Sequence, residues 1–145
     1  MLKDNSMMAN IMGKKFKREI NSLDQVFEFV NNFVRSKRID ESILFSLSLV
    51  VEEIFTNMVK YNSQSNEDIL ISLKKLESRL IVTLTDFDAE PFDITKTKEV
   101  DVRQPLENRK VGGLGIHLVK RMVDKLSYEH KGRESKVTLI KYLEN

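Results

Sequence analysis

Two pairs of alternating apolar segments, each with a short connection, constrain the fold more than any other feature of this sequence. The first pair is DILISLKK (residues 68–75) and RLIVTLTD (residues 79–86), which only LES separates, so it predicts a β-hairpin. The second pair is KLSYEHK (residues 125–131) and KVTLIKYL (residues 136–143), predicted to turn near Gly132. Since strands joined by tight turns run antiparallel, the sequence predicts a largely antiparallel, mixed sheet.

Three segments with helical periodicity accompany these hairpins. Ser22 is predicted to cap the first helix and Asp40 the second, because short polar side chains can accept a bond from the first helical turn. A third helix is predicted at about residues 116–125, after the sequence GGLG. The predicted inward positions are Leu23, Val26, Phe27, Val30, Phe33 and Val34 in the first helix, and Ile43, Leu44, Leu47, Val50, Val51, Ile54, Phe55, Met58 and Val59 in the second.

The order of these elements predicts the architecture. KFKREI (residues 15–20) alternates as a short strand would, so the order is strand, helix, helix, two strands, long loop, helix, two strands. Strands and helices do not alternate, which excludes a doubly wound fold. We therefore predict an α+β two-layer sandwich with three helices on one face of the sheet. A tail (residues 1–14) would precede one domain (residues 15–145), which includes a loop at residues 86–112.

Composition excludes several classes of function. With 24 basic and 22 acidic residues, the net charge of +2 gives no cationic surface of the kind that nucleic acids require. The sequence contains no cysteine, which excludes thiolate metal sites, disulfides and a cysteine nucleophile and is typical of a reducing compartment. The sequence has no run of 18 apolar residues, which is about the length that a membrane-spanning helix needs. The sequence thus predicts a soluble cytoplasmic protein.

The second predicted helix contains acidic and amide side chains in VEEIFTNMVKYN. Glu53 and Asn57 are four residues apart, so both lie at one edge of the apolar face, whereas Glu52 points towards solvent. A carboxylate and a carboxamide at the rim of a core suit Mg²⁺, and a partly desolvated glutamate can act as a general base. Two boundary side chains that hydrogen-bond only to each other would give the same pattern.

Glycines and an unusually long loop form the second candidate site. Gly112, Gly113 and Gly115 precede the third predicted helix, where backbone N–H groups can bind phosphate, although glycine also serves ordinary loop-to-helix junctions. About 25 residues without periodicity precede them, which is typical of a lid over a ligand. This loop begins with TDFDAEPFD, in which an aspartate at the strand end could accept a bond from an amino group such as that of adenine.

Taken together, these three segments resemble the Bergerat-fold (GHKL) ATP-binding domains. The resemblance extends from about Phe16 to Leu143 and is greatest to anti-sigma-factor serine/threonine kinases of the RsbW type. EIFTNMVKYN resembles the N box of that family, DFDAEPFD its first glycine box, and GGLGIHLVKRMVD its second, which is the most specific of the three.

The resemblance implies a role for particular residues. Glu53 would be the general base, Asn57 would bind the Mg²⁺ that bridges the phosphates of ATP, and Asp86 would bind adenine, with Asp88 as the alternative. Ala89 stands nearest to the glycine usual in the first glycine box, a departure that bears on loop geometry because alanine disfavours a positive φ. The remaining residues implied in nucleotide binding are Gly112, Gly113, Leu114 and Gly115.

The same resemblance implies a protein kinase that uses ATP and Mg²⁺. Its substrate would be an anti-anti-sigma protein of the STAS fold, a sigma factor would be a second partner, and the kinase itself would be a homodimer. Direct binding to nucleic acid or membrane is not implied. The alternative is a non-catalytic module of the same fold that sequesters its partner. ATP hydrolysis driving a conformational cycle ranks last, because the chain lacks the transducer domain of larger relatives.

Overall fold

The computed structural model of the protein describes residues 11–92 and 113–143, which form a five-stranded sheet with three α-helices. The strands are β1 (Ile11–Phe16), β2 (Ile69–Leu76), β3 (Arg79–Asp86), β4 (Lys125–Lys131) and β5 (Glu134–Tyr142). The helices are α1 (Leu23–Ser36), α2 (Ser42–Tyr61) and α3 (Gly113–Met122), and a 3₁₀ turn, Ile20–Ser22, precedes α1. The predicted α+β class and order of elements are confirmed.

The sheet has the strand order β1-β2-β3-β5-β4, and all four pairings among the described strands are antiparallel. Both predicted hairpins are present, the second turning at Gly132 with a φ of 64°. β3 lies at the centre, so its last residue, Asp86, has a neighbour on each side: Ile69 of β2 and Ser135 of β5. The end of β3 is therefore enclosed by the sheet.

One face of the sheet carries the core. Alternate residues of β2 and β3 are buried and most of those between them are half-buried, as expected when helices cover one face only; Thr85, near the end of β3, is also buried. α2 packs between α1 and α3 and contributes more buried residues than the other helices described. Buried side chains from all three helices join the same cluster, which includes Phe33, Ile54, Phe55, Leu84 and Val119.

The first strand was predicted too late in the sequence. β1 begins at Ile11, within the predicted tail, and ends at Phe16. The chain then turns, because Lys17 O accepts bonds from Glu19 N–H (2.8 Å) and from the Ser22 hydroxyl (2.8 Å). Ser22 thus occupies the predicted N-cap position of α1, but its hydroxyl fixes this turn and makes no capping hydrogen bond to the helix.

Two further predictions about the helices need correction. In α1, Phe29 is buried, whereas Phe27 is half-buried, because the Phe29 ring packs edge-to-face against Phe16 at 5.6 Å. At the start of α2, Asp40 Oδ1 accepts a bond from Ser42 N–H (2.9 Å), but the helix begins two residues after Asp40.

α3 begins and ends three residues earlier than predicted. Two of the glycines therefore lie inside its first turn, and not in the preceding loop. The helix ends at Met122 because Asp124 already belongs to the sheet edge: its N–H donates to Ile140 O (2.9 Å), and its carboxylate accepts from Tyr142 N–H (2.7 Å).

By length and composition alone, α2 is apolar enough to cross a membrane, and it is the one such helix among the described residues. The same test is passed by the central helix of many folded domains. In this protein, Val51, Ile54 and Phe55 of α2 are fully buried against the rest of the core. These three side chains therefore pack within the domain, whereas Phe45 of the same helix is exposed.

Candidate functional site

The Glu53 and Asn57 side chains lie together on α2, as the helical spacing predicted. Asn57 Nδ2 donates to Glu53 Oε1 at 3.4 Å, a long hydrogen bond. Asn57 is buried, with 3% of its surface exposed, whereas Glu53 is half-buried. The amide is thus held in the protein while the carboxylate lies between protein and solvent.

The environment of Glu53 makes its carboxylate more basic. Burial removes water from the charged form and raises the pKa of Glu53 above its ordinary value of 4.5, although the bond from Asn57 and the charge of Lys60 partly oppose this. A carboxylate with a raised pKa is a better proton acceptor at neutral pH. The chemistry available at this position is therefore that of a general base.

Asp86 lies at the end of β3 on the helix-covered face, because residues 80, 82, 84 and 86 alternate on that face. It is 3% exposed. Its carboxylate binds Arg18 with both oxygens, Nη1 donating to Oδ2 (2.9 Å) and Nη2 to Oδ1 (2.5 Å). The sequence analysis did not identify this partner, which is 68 residues away along the chain.

Asp88, the alternative to Asp86, points elsewhere. Its carboxylate pairs with Arg133 at the surface (2.8 Å), and the Ser65 hydroxyl and Arg133 together lower its pKa. Ala89 is buried, and its N–H donates to Arg133 O (2.8 Å). Among the described residues other than glycine, only Arg38 and Glu77 have a positive φ. Alanine is therefore unstrained at position 89.

A cavity of 210 Å³ lies between the end of α2, the end of β3 and the start of β5. Its polar lining residues include Asn57, Asn62, Asp86, Glu90, Tyr128 and Ser135. Tyr61 and Phe92 also line it and stack on each other with ring centroids 4.6 Å apart. The cavity thus brings together three of the predicted site residues, Asn57, Asp86 and Ala89, with an apolar, aromatic wall, as is typical of small-molecule sites.

A larger groove of 520 Å³ lies at the other end of the sheet, around the turn between β2 and β3. Its lining includes Lys37, Arg38, Lys75 and Lys141, but none of the predicted site residues. The smaller cavity is therefore the candidate site.

Gly113, Leu114 and Gly115 form the first turn of α3, which packs against α2. Gly112 and most of the predicted lid, residues 93–112, lie outside the described residues. The first backbone N–H groups of a helix have no partner within the helix, so they favour negative charge.

A sequence profile of the histidine kinase-like ATPase domain matches residues 16–141. The chain belongs to this family. The match includes all the candidate residues described above, from Glu53 to Gly115. In this ATPase domain, the family match therefore covers α2, the end of β3 and the glycine-containing first turn of α3.

Curated relatives of this ATPase domain include bacterial kinases. A serine-protein kinase RsbW of Listeria monocytogenes is 35% identical over 94 residues, which is 57% of this chain and 57% of that protein. Another, from Halalkalibacterium halodurans, is 27% identical over 84 residues, or 55% of this chain and 51% of that protein. The chain thus spans little more than half the length of these relatives.

Solved structures share the fold of this ATPase domain. The RsbU and RsbW domains of a Mycobacterium tuberculosis protein superpose with a TM-score of 0.67 at 12% identity, over 92% of this chain and 32% of that one. The SiaB–SiaC complex of Pseudomonas aeruginosa gives a TM-score of 0.66 at 14% identity, over 98% and 95%. At such identities the likeness concerns the fold alone.

The donor set of the ATPase domain fits a cation that is shared with a ligand. Asn57 uses its amide nitrogen towards Glu53, which leaves the amide oxygen, the atom that Mg²⁺ prefers. Within residues 11–92 and 113–143, no three acidic or histidine side chains cluster closely enough to hold a metal. Since Mg²⁺ commonly binds one or two protein oxygens together with phosphate oxygens, Asn57 suits that arrangement.

The sequence analysis also missed polar residues on the far wall of the cavity. Ser135 Oγ lies 2.7 Å from His130 Nδ1 and 3.2 Å from the Tyr128 hydroxyl, which accepts a bond from Phe92 N–H (2.9 Å). The alternation of β4 places Tyr128 and His130 on the same face, a signal that could have identified them. These bonds attach the start of the long loop to the second hairpin.

Asn62, at the end of α2, is another cavity residue that the sequence analysis did not select. Its amide nitrogen is buried and has no hydrogen-bond partner within the described part of the chain. A buried donor without a partner is costly, so it is a candidate for binding a ligand.

Proposed function

We propose that this protein is an ATP-dependent serine/threonine protein kinase of the anti-sigma-factor type. Membership of an ATPase domain family and similarity to RsbW serine-protein kinases support this function. A single observation carries this proposal. Burial makes the Glu53 carboxylate more basic, it accepts a hydrogen bond from Asn57, and Asn57 lines the same cavity as Asp86.

In the proposed reaction, the chain's residues position two substrates and move one proton. Glu53 accepts the proton of a serine or threonine hydroxyl, whose oxygen forms the bond to the γ-phosphorus as the bond to the ADP oxygen breaks. Asp86 binds the adenine amino group, and the amides at the start of α3 bind phosphate oxygens. Mg²⁺, held by the Asn57 oxygen, would neutralise charge on those phosphates.

We further propose that the substrate is an anti-anti-sigma protein of the STAS fold. The similarity to RsbW and the shared fold of the SiaB–SiaC complex support a regulatory kinase with a small protein partner. A sigma factor as competing partner, a homodimer and a cytoplasmic location belong to the same proposal, without direct binding to nucleic acid or membrane.

The direct test is a transfer assay with labelled ATP and purified STAS-domain proteins from the same genome. We expect label on a serine or threonine of one of them, and no label with Glu53→Gln. The matched control is Glu52→Gln, the neighbouring acid on α2, which should transfer normally. Equal transfer by wild type and Glu53→Gln would contradict the proposed base.

The pairing of Asp86 with Arg18 favours a second candidate function. Because Arg18 already binds both carboxylate oxygens, and Tyr61 and Phe92 stack beside the cavity, the protein could bind its partner without using nucleotide. In that case a STAS protein or sigma factor would bind with the same affinity with or without ATP, and no label would be transferred.

A further inference from the structure

The Arg18–Asp86 pair is unusually buried for two charged residues beside a cavity. The exposed fractions of the two side chains are 1% and 4%. Burying two charges is costly unless their geometry is good and their remaining donors and acceptors are satisfied. The partners of each group therefore show what the pair is built to do.

Arg18 is fixed by three separate parts of the chain. Besides Asp86 at the end of β3, Nη1 donates to Met58 O of α2 (3.2 Å), and Nε donates to Glu67 O before β2 (3.1 Å). A guanidinium is planar, so these bonds fix its plane and, through the two-point contact, the plane of the carboxylate.

Within the described part of the chain, the carboxylate has one acceptor position left. A carboxylate offers about four lone-pair positions. On Oδ1, one is used by Arg18 Nη2 and another by Asp88 N–H (3.0 Å); on Oδ2, one is used by Arg18 Nη1. The remaining position is on Oδ2, and Asp86 lines the cavity.

We propose that Arg18 is a positioning residue: its two-point contact holds the one free acceptor of Asp86 in place for the ligand, so that the carboxylate binds a base with an amino group and rejects one with a carbonyl group at that position. This inference rests on the proposed nucleotide function of the cavity. An adenine amino group can donate to the free position on Oδ2. A guanine or hypoxanthine carbonyl would place two acceptors against each other, with a buried group left unpaired.

Selectivity, and not affinity alone, distinguishes this role from a purely structural one. We would measure the dissociation constants of ATP, ITP and purine riboside triphosphate, which lacks the amino group, by calorimetry for the wild type and Arg18→Lys. The wild type should prefer ATP to either analogue by about tenfold or more, as a bond to a charged group predicts. Lysine keeps the charge but loses the two-point contact, so this preference should fall towards one.

The matched control is Arg133→Lys, an arginine that pairs with Asp88 and Glu90 at the surface of the same region. Its preference for ATP should equal that of the wild type. Because a buried substitution can prevent folding, a second variant, Arg18→Met with Asp86→Leu, removes both charges and the acceptor oxygens of residue 86 together. It should fold and show no preference between ATP and purine riboside triphosphate.

The outcomes separate the two proposals. If the wild type binds ATP selectively but Arg18→Lys, or the double variant, retains the full preference while only its melting temperature falls, the positioning role is overturned and the nucleotide site stands. If the wild type binds none of the three nucleotides, the proposed nucleotide function is overturned, and the positioning role with it.

Discussion

Replacing Glu53 with glutamine removes a proton acceptor while leaving the surrounding structure almost unchanged. Glutamine has the same length and can still accept the bond from Asn57 Nδ2, which at 3.4 Å contributes at most about 0.5 kcal/mol. Loss of a general base slows a reaction by about 100- to 10,000-fold, equivalent to about 3–5 kcal/mol. The predicted rise in the activation free energy of phosphate transfer is therefore several times larger than the free energy that a weakened hydrogen bond could account for.

The same variant has a predictable effect on stability. Burial raises the pKa of Glu53, so the folded state disfavours the charged form, and this cost grows as the pH rises from the ordinary pKa of 4.5 through the raised pKa. Glu53→Gln removes the charge, so it should be more stable than the wild type at neutral pH and lose this advantage below about pH 4.

The assays for this variant are transfer of labelled phosphate, calorimetric ATP affinity and urea unfolding at two pH values. We expect the ATP affinity of this variant to be within about threefold of that of the wild type, because residue 53 lies beside the cavity and is not one of its lining residues. Phosphate transfer by Glu53→Gln within threefold of the wild type would refute the reasoning, as would lower stability at neutral pH.

Three other substitutions test separate parts of the site and core. Asn57→Ala should weaken Mg²⁺-dependent ATP binding by about tenfold without changing the weaker binding in EDTA, and equal losses in both would contradict a metal ligand. Asn62→Ala should lower ATP affinity while leaving the melting temperature equal or higher, because it removes an unpaired buried donor; a large fall in melting temperature would contradict this. Phe55→Ala should cost about 3–5 kcal/mol in urea unfolding, since Phe55 is fully buried; a loss below about 1 kcal/mol would contradict the packing.

Local periodicity was sufficient to predict the parts of the site that depend on one element. A repeat of 3.6 residues places Glu53 and Asn57 together on α2, and their hydrogen bond confirms this contact. A repeat of two residues places Asp86 on the same face as Val82 and Leu84, which are fully buried. The hairpins followed from the short connections between alternating segments.

Features that depend on the path of the chain could not be predicted in this way. Arg18 and Asp86 are 68 residues apart, and nothing in the local pattern of residues 15–20 indicates that Arg18 leaves the strand direction to enter the core. Phe27 and Phe29 both fit a helical face beside Val26 and Val30. Only the position of the Phe16 ring decides which of them is buried.

The beginning of α3 was predicted too late for a related reason. Glycine has a low helix propensity, so Gly113 and Gly115 indicate a loop when they are read alone. Packing against α2 and burial of Val119 in the core outweigh that preference, and the helix begins at Gly113. Tertiary contacts thus decided the boundary.

The most direct measurement is a crystal structure with Mg²⁺ and a non-hydrolysable ATP analogue. We predict the adenine amino group about 3 Å from Asp86 Oδ2 and the metal bound to the Asn57 amide oxygen. An analogue bound away from the cavity, with its base in contact with neither Asp86 nor the Tyr61–Phe92 wall, would contradict the account.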